Sequence, residues 1–127
     1  MENSPEQRVF DAIFKVCQRL NYRVFDYLPA RETPYPFVYV GEIFQQDRQT
    51  KSNLYGNIQA TIHIYNDYKK RRETTSMRDN IKLEMYRIKD IDGMRLKLNR
   101  GTGQILIDDS TPETLIHGIL ELEFTFN

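Results

Sequence analysis

A chain of 127 residues is sized for one domain that can bury its own core without disulfide or metal staples. Its 39% hydrophobic, 28% charged and 12% aromatic residues argue against disorder, and no apolar run approaches the ~20 residues of a membrane helix. Eighteen basic residues balance eighteen acidic ones, Cys17 has no partner for an internal disulfide, and residues 1–5 show no leader pattern, which leaves a small intracellular domain with no bulk attraction to nucleic acid or membrane.

Ser4, Pro5 and Gln7 form a helix-start signal, with Ser4 as cap and Gln7 completing a capping box. Val9, Phe10, Ile13, Phe14, Cys17 and Leu20 then recur at helical spacing, which makes Cys17 a buried small hydrophobe and not a nucleophile. Residues 22–28 read as a first strand, and Pro29, Pro34 and Pro36 break the chain after it. Residues 37–44 read as a second, central strand. Residues 45–53 are polar without an apolar anchor and read as a mobile excursion between strands. From 54 to 65 the alternation is strict: Ile58, Ala60, Ile62 and Ile64 face one way, and Asn57, Gln59, Thr61, His63 and Tyr65 the other.

Met77, Ile81, Met85 and Ile88 mark a second helix over about residues 71–88. Met94, Leu96 and Leu98 alternate in a further strand. Gly101-Thr102-Gly103 reads as a turn into a short strand over 104–107, and residues 113–126 form the last strand. Helix, three strands, helix, three strands is an α+β domain, residues 1–127, with a mainly antiparallel sheet packed on one face by two helices. The sheet's other face is polar along its long strands.

The zero net charge is unevenly spread. Residues 69–100 hold eleven basic and five acidic residues, net +6, and the remainder is −6. Solvated surfaces explain such a split, and so do complementary docking surfaces between copies, since a repeated head-to-tail contact closes into a ring if the rotation permits. Lys69, Lys70, Arg71 and Arg72, with Tyr65 and Tyr68 nearby, are the best nucleic-acid candidates; a solvated helix start or a protein-docking surface is the competing account. His63, His117 and Glu121 make a metal cluster conceivable if their strands are neighbours, although two isolated histidines are ordinarily surface residues. The sequence holds no helical zinc motif, nucleophile elbow or phosphate loop, so neither an enzyme nor a cofactor or metal is expected.

The opening Ser4-Pro5-Glu6-Gln7-Arg8-Val9-Phe10-Asp11, the run Tyr35-Pro36-Phe37-Val38-Tyr39-Val40-Gly41-Glu42, Ile62-His63-Ile64-Tyr65 leading into Lys70-Arg71-Arg72-Glu73, and the closing Glu123-Phe124-Thr125-Phe126-Asn127 together resemble the tail completion (tail terminator, tail-to-head joining) proteins of long-tailed bacteriophages and prophages. The resemblance spans nearly the whole chain and contains no catalytic signature. It implies a structural protein that forms a homo-oligomeric ring, typically of six copies, on the major tail tube protein. Such a ring ends tube polymerisation and meets the head connector, at the head-proximal end of the tail in the virion, after assembly in the host cytoplasm. DNA would pass through the ring without specific binding. Under that reading Arg48, Lys51, Lys69, Lys70, Arg71, Arg72, Asp108, Asp109 and Glu113 are the expected interface residues, and Gln59, Thr61, His63, Glu121 and Glu123 the expected channel-facing ones. A nucleic-acid-binding module and a head-completion protein on the other side of the joint remain the alternatives.

Overall fold

The computed structural model describes residues 4–49 and 54–127. Its elements in order are α1 (Pro5–Arg19), β1 (Val24–Phe25), β2 (Phe37–Gln49), β3 (Leu54–Asp67), α2 (Arg71–Arg87), β4 (Asp90–Ile91), β5 (Met94–Asp108) and β6 (Leu115–Phe126). The Ser4 hydroxyl accepts from the Gln7 amide at 3.2 Å, and Pro5 occupies the first turn, where its missing N–H costs nothing. Among the described residues only half of the expected capping box forms, and the Gln7 side-chain amide donates forward to Asp11 at 2.9 Å. A second cap comes from across the fold: the Gln45 side-chain oxygen accepts from the Glu6 amide at 2.8 Å.

The strands form one six-stranded sheet in the order β1-β2-β3-β6-β5-β4, antiparallel except for the β1–β2 pair. The α+β expectation holds, while three strand boundaries differ from the sequence reading. The first strand shrinks to two residues, because the chain leaves the sheet soon after pairing Phe25 with Tyr39. Residues 45–49, expected in a mobile excursion, extend β2: the β2–β3 ladder runs from Phe37–Tyr65 to Gln49–Leu54. Backbone pairing carries this hairpin past the core, where side chains need not be apolar. The rest of that expected loop lies outside the described residues.

The third difference is at Gly101-Thr102-Gly103, which is strand and not turn. β5 is continuous from Met94 to Asp108, with only a register shift between Leu98 and Arg100. The glycines serve packing. A Cβ at Gly101 would sit 2.8 Å from Lys82 Cε, and one at Gly103 would sit 2.7 Å from Arg78 Cδ. Removing those two carbons lets the long basic side chains of α2 lie flat across the strand.

Both helices lie on one face of the sheet. Val9, Ile13, Val16 and Cys17 of α1 and Met77, Ile81 and Met85 of α2 are buried with Val38, Val40, Ile58, Ala60, Ile62 and Ile64 of β2–β3 and Leu120, Leu122 and Phe124 of β6. Burial pushes the Cys17 thiol up to about 12, so it behaves as the small hydrophobe its helical spacing suggests. The only buried polar residues described, Asn66 and Thr74, satisfy each other: Asn66 Nδ2 donates to Thr74 Oγ1 and to Glu73, and Thr74 Oγ1 donates to the Lys70 carbonyl. This node ties the end of β3 to the first turn of α2. Among the described residues no helix is long and apolar enough to cross a membrane.

Candidate functional site

The face of the sheet away from the helices carries the side chains that the core does not need. Directly paired residues share a face, so Gln59 lies beside Glu123, and Thr61 beside Glu121. Gln59 Nε2 donates to Glu123 Oε1 at 3.2 Å, and Arg100 Nε lies 3.5 Å from the other Glu123 oxygen. His63 sits on the same face further along β3, so all five expected channel-facing residues occur together on the uncovered surface.

Toward the β1 side this face turns aromatic. Phe25 meets Phe37 edge-on, Phe37 stacks on Tyr35 and Tyr65, Tyr65 stacks on His117 at 4.3 Å, His117 on His63 at 5.0 Å, and His63 on Tyr39. Offset ring stacks of this kind add about 0.5–1.5 kcal/mol per pair beyond their area. At the centre His63 Nδ1 and His117 Nε2 are 2.8 Å apart and hydrogen-bonded. One ring must donate and the other accept, the tautomers deciding which. His63 Nε2 faces Glu42 Oε2 at 3.8 Å. The His117 pKa is lowered by burial first and by His63 second, against a raising pull from Asp108. Burial raises the Tyr65 phenol, with Asp108, Tyr39 and Glu42 acting in the same direction.

The structure thus brings His63 and His117 together and leaves Glu121 out. Glu121 pairs with Thr61, two pleats along β6 from His117 or about 13 Å at ~3.3 Å per residue. The carboxylate that faces the pair is Glu42, which sequence reasoning did not single out. Its signal was present only in register: the β2 ladder shifts between Val40 and Ile43, and Gly41 in that shift lies close under the His63 ring, 3.0 Å from where its Cβ would be.

The expected interface residues fall at two ends of the sheet. Asp67 of β3, Leu115 of β6 and Asp108 of β5 are in register, so Lys69, Lys70, Arg71 and Arg72 after β3 share an end with Asp108, Asp109 and Glu113. The two oppositely charged runs therefore belong to one end, not to opposite ones, and no ion pair joins them among the described residues. Hydrogen bonds from Ser110, from its side chain first and from its backbone amide (2.8 Å) second, hold the Asp108 carboxyl below its usual range. Arg48 lies at the other end, paired with Tyr55, and Lys51 lies outside the described residues.

The basic run is poorly placed for helix stability. Arg71 and Arg72 open α2, and its cap, Lys70, makes no side-chain capping bond. Cations at a helix N-terminus oppose the macrodipole, each by about 0.3–1 kcal/mol, and only Glu73 in the first turn offsets them. Local helix energetics do not account for this run.

No family model and no curated protein matches the chain. Its fold does match solved structures. A chain from the virion of the native gene transfer agent (GTA) particle superposes with a TM-score of 0.63 at 10% identity, covering 91% of this chain and 92% of that one. The gp17 protein of bacteriophage SPP1 superposes with a TM-score of 0.61 at 20% identity, covering 96% and 91%. The protein shares their fold. In each case the match covers more than nine-tenths of either chain.

Proposed function

We propose that this protein is a structural component of phage assembly that caps the tail tube as a ring, ends tube polymerisation and joins the tail to the head connector. The observation that carries the reading is the near full-length likeness of fold to a gene transfer agent virion chain and to a bacteriophage SPP1 protein. The sequence resemblance to tail completion proteins points the same way. Surface chemistry supports it: the sheet's open face is polar along β3 and β6, which suits a channel lining, and Arg71 and Arg72 oppose their own helix as residues kept for a partner would. In this reading the protein is not an enzyme, needs no cofactor and resides at the head-proximal end of the tail. The tail tube protein and the head connector are its partners.

Deletion of the gene from its source phage or prophage, followed by induction and negative-stain electron microscopy, tests the proposal. Full heads beside unattached, overlong or ragged tails are expected. Normally joined virions would refute it.

A further inference from the structure

At the end of the sheet opposite residues 108–113, a cleft of about 930 Å³ opens between the β2–β3 hairpin and the β4–β5 corner. Its floor is apolar, with Leu96 and Phe126 nearly buried and the half-exposed Tyr55 ring as one wall. Four cations line it: Arg48, Lys89, Arg95 and Lys97. Their charge is left standing. Arg48, Arg95 and Lys97 make no side-chain hydrogen bond or ion pair among the described residues, and Lys89 rests over the Tyr86 ring, 4.1 Å from its centroid. The one acidic side chain among the cleft's described residues, Asp90, is engaged in its own turn, accepting from the Gly93 amide at 3.1 Å.

An apolar floor under a cationic rim selects a segment that carries exposed apolar side chains next to carboxylates. Nucleic acid fits it less well, because phosphate contacts leave the apolar floor unused. This chain displays one such segment. Leu106 and Ile107 are 44% and 64% exposed on the outer strand β5, and Asp108, Asp109 and Glu113 follow them. The Asp109 and Glu113 carboxylates make no hydrogen bond or ion pair among the described residues. The segment cannot reach its own cleft: β6 runs between the two ends, and the steps from the first to the last of its 12 residues, ~3.3 Å apiece, add up to about 36 Å.

We infer that the cleft receives residues 106–113 of a second copy of this chain, with Leu106 or Ile107 seated on the floor and Asp109 and Glu113 among the four cations. Such a contact joins unlike surfaces and therefore propagates from copy to copy. The inference rests on the ring reading in requiring like copies as neighbours, and it names the surfaces they use.

The test is a concentration series of the isotope-labelled full chain at low salt, up to millimolar, followed by amide NMR. The variants are Arg95→Glu with Lys97→Glu, and Asp109→Lys with Glu113→Lys. All four side chains are exposed, so retained amide dispersion checks the fold. In the native chain, concentration-dependent shifts are expected at residues 89–97 and 106–113, weakening as salt rises. Either variant alone loses them, since it sets like charges against each other. Mixing the two variants restores them, because each reversed surface then meets an opposite one. Absence of these shifts in the native chain, variants that associate as the native chain does, or a mixture that fails to recover would overturn the inference. So would shifts at the cleft on adding a DNA duplex but none between copies. Self-association mapped to other surfaces would overturn the docking while leaving the ring reading intact, whereas joined virions in the deletion strain would remove the ring reading itself.

Discussion

β3 and β6 present two different chemistries on their two faces. Toward the helices they offer Ile58, Ala60, Ile62, Ile64, Leu120, Leu122 and Phe124, all nearly inaccessible. Away from the helices the same strands offer Gln59, Thr61, His63, Tyr65, His117, Glu121 and Glu123. The backbone ladder is common to both, so the difference isolates what side chains add. Apolar burial on the covered face holds the fold together, at about 25 cal/mol per Å2 of area removed from water. The open face contributes ring stacks and hydrogen bonds that are individually small and chemically specific. Its residues are free to serve a lining or a partner without unfolding the protein.

Truncating one residue on each face tests that division most strongly. Phe124→Ala should cost about 3–5 kcal/mol in urea unfolding, by lost transfer energy and the cavity left behind. Its strand neighbour Glu123→Ala, which gives up only exposed contacts to Gln59 and Arg100, should stay within about 0.5 kcal/mol. Comparable losses at the two positions would break the comparison.

Glycine substitutions sharpen it next. At Gly56 a Cβ would lie 2.2 Å from the Gln46 carbonyl oxygen, a backbone atom of the paired strand that cannot move alone. Gly56→Ala should therefore cost about 1–3 kcal/mol by forcing the β2–β3 hairpin apart. At Gly103 the obstacle is the Arg78 side chain, which can swing aside, so Gly103→Ala should cost less than about 1 kcal/mol in the same unfolding assay. A larger loss at Gly103 would mean that Arg78 is fixed across β5.

These glycines also mark where the sequence stops being legible. Period-two alternation in residues 54–65 identified both faces of β3, because the pleat is a local property. The stripe of Met77, Ile81 and Met85 identified the buried side of α2 for the same reason, all three being buried. Gly101 and Gly103 looked like a turn because, without knowledge of α2 overhead, two glycines signal backbone freedom and not missing Cβ atoms. Residues 45–49 looked like a loop because their alternation has no apolar half; their pairing comes from β3 and, at Gln45, from the first turn of α1. The joining of His63 to His117 and Glu42 depends on which strands are neighbours and in what register, and a single sequence does not carry that information.

The histidine pair gives the open face a pH signature that the covered face lacks. His117 has a folded pKa below its ordinary value of 6.5, so the unfolded chain binds its proton more readily than the folded one. The stability this contributes is complete above pH ~6.5 and is lost as pH falls through the depressed folded value. Urea midpoints measured downward from pH 7 should decline before the carboxylates titrate. His117→Phe keeps a ring against Tyr65 and removes the proton, so it should flatten that decline. An unchanged slope would assign the decline to other groups.

The smallest effect on stability falls at the start of α2, and there its sign matters more than its size. Replacing Arg71 and Arg72 with Glu removes two cations from a helix N-terminus and supplies two anions. Each exchange should stabilise the folded monomer by a few tenths of a kcal/mol, up to about 1, with the gain shrinking as salt is added. If the run is kept for a partner, the same variant should weaken ring assembly, read as fewer capped tails when it replaces the native gene. A more stable monomer that assembles less well is an outcome that simple damage to the fold cannot produce. A variant that is more stable and assembles normally would show that the basic run is solvated surface and leave the open face of the sheet and the two ends of its strands as the surfaces that matter.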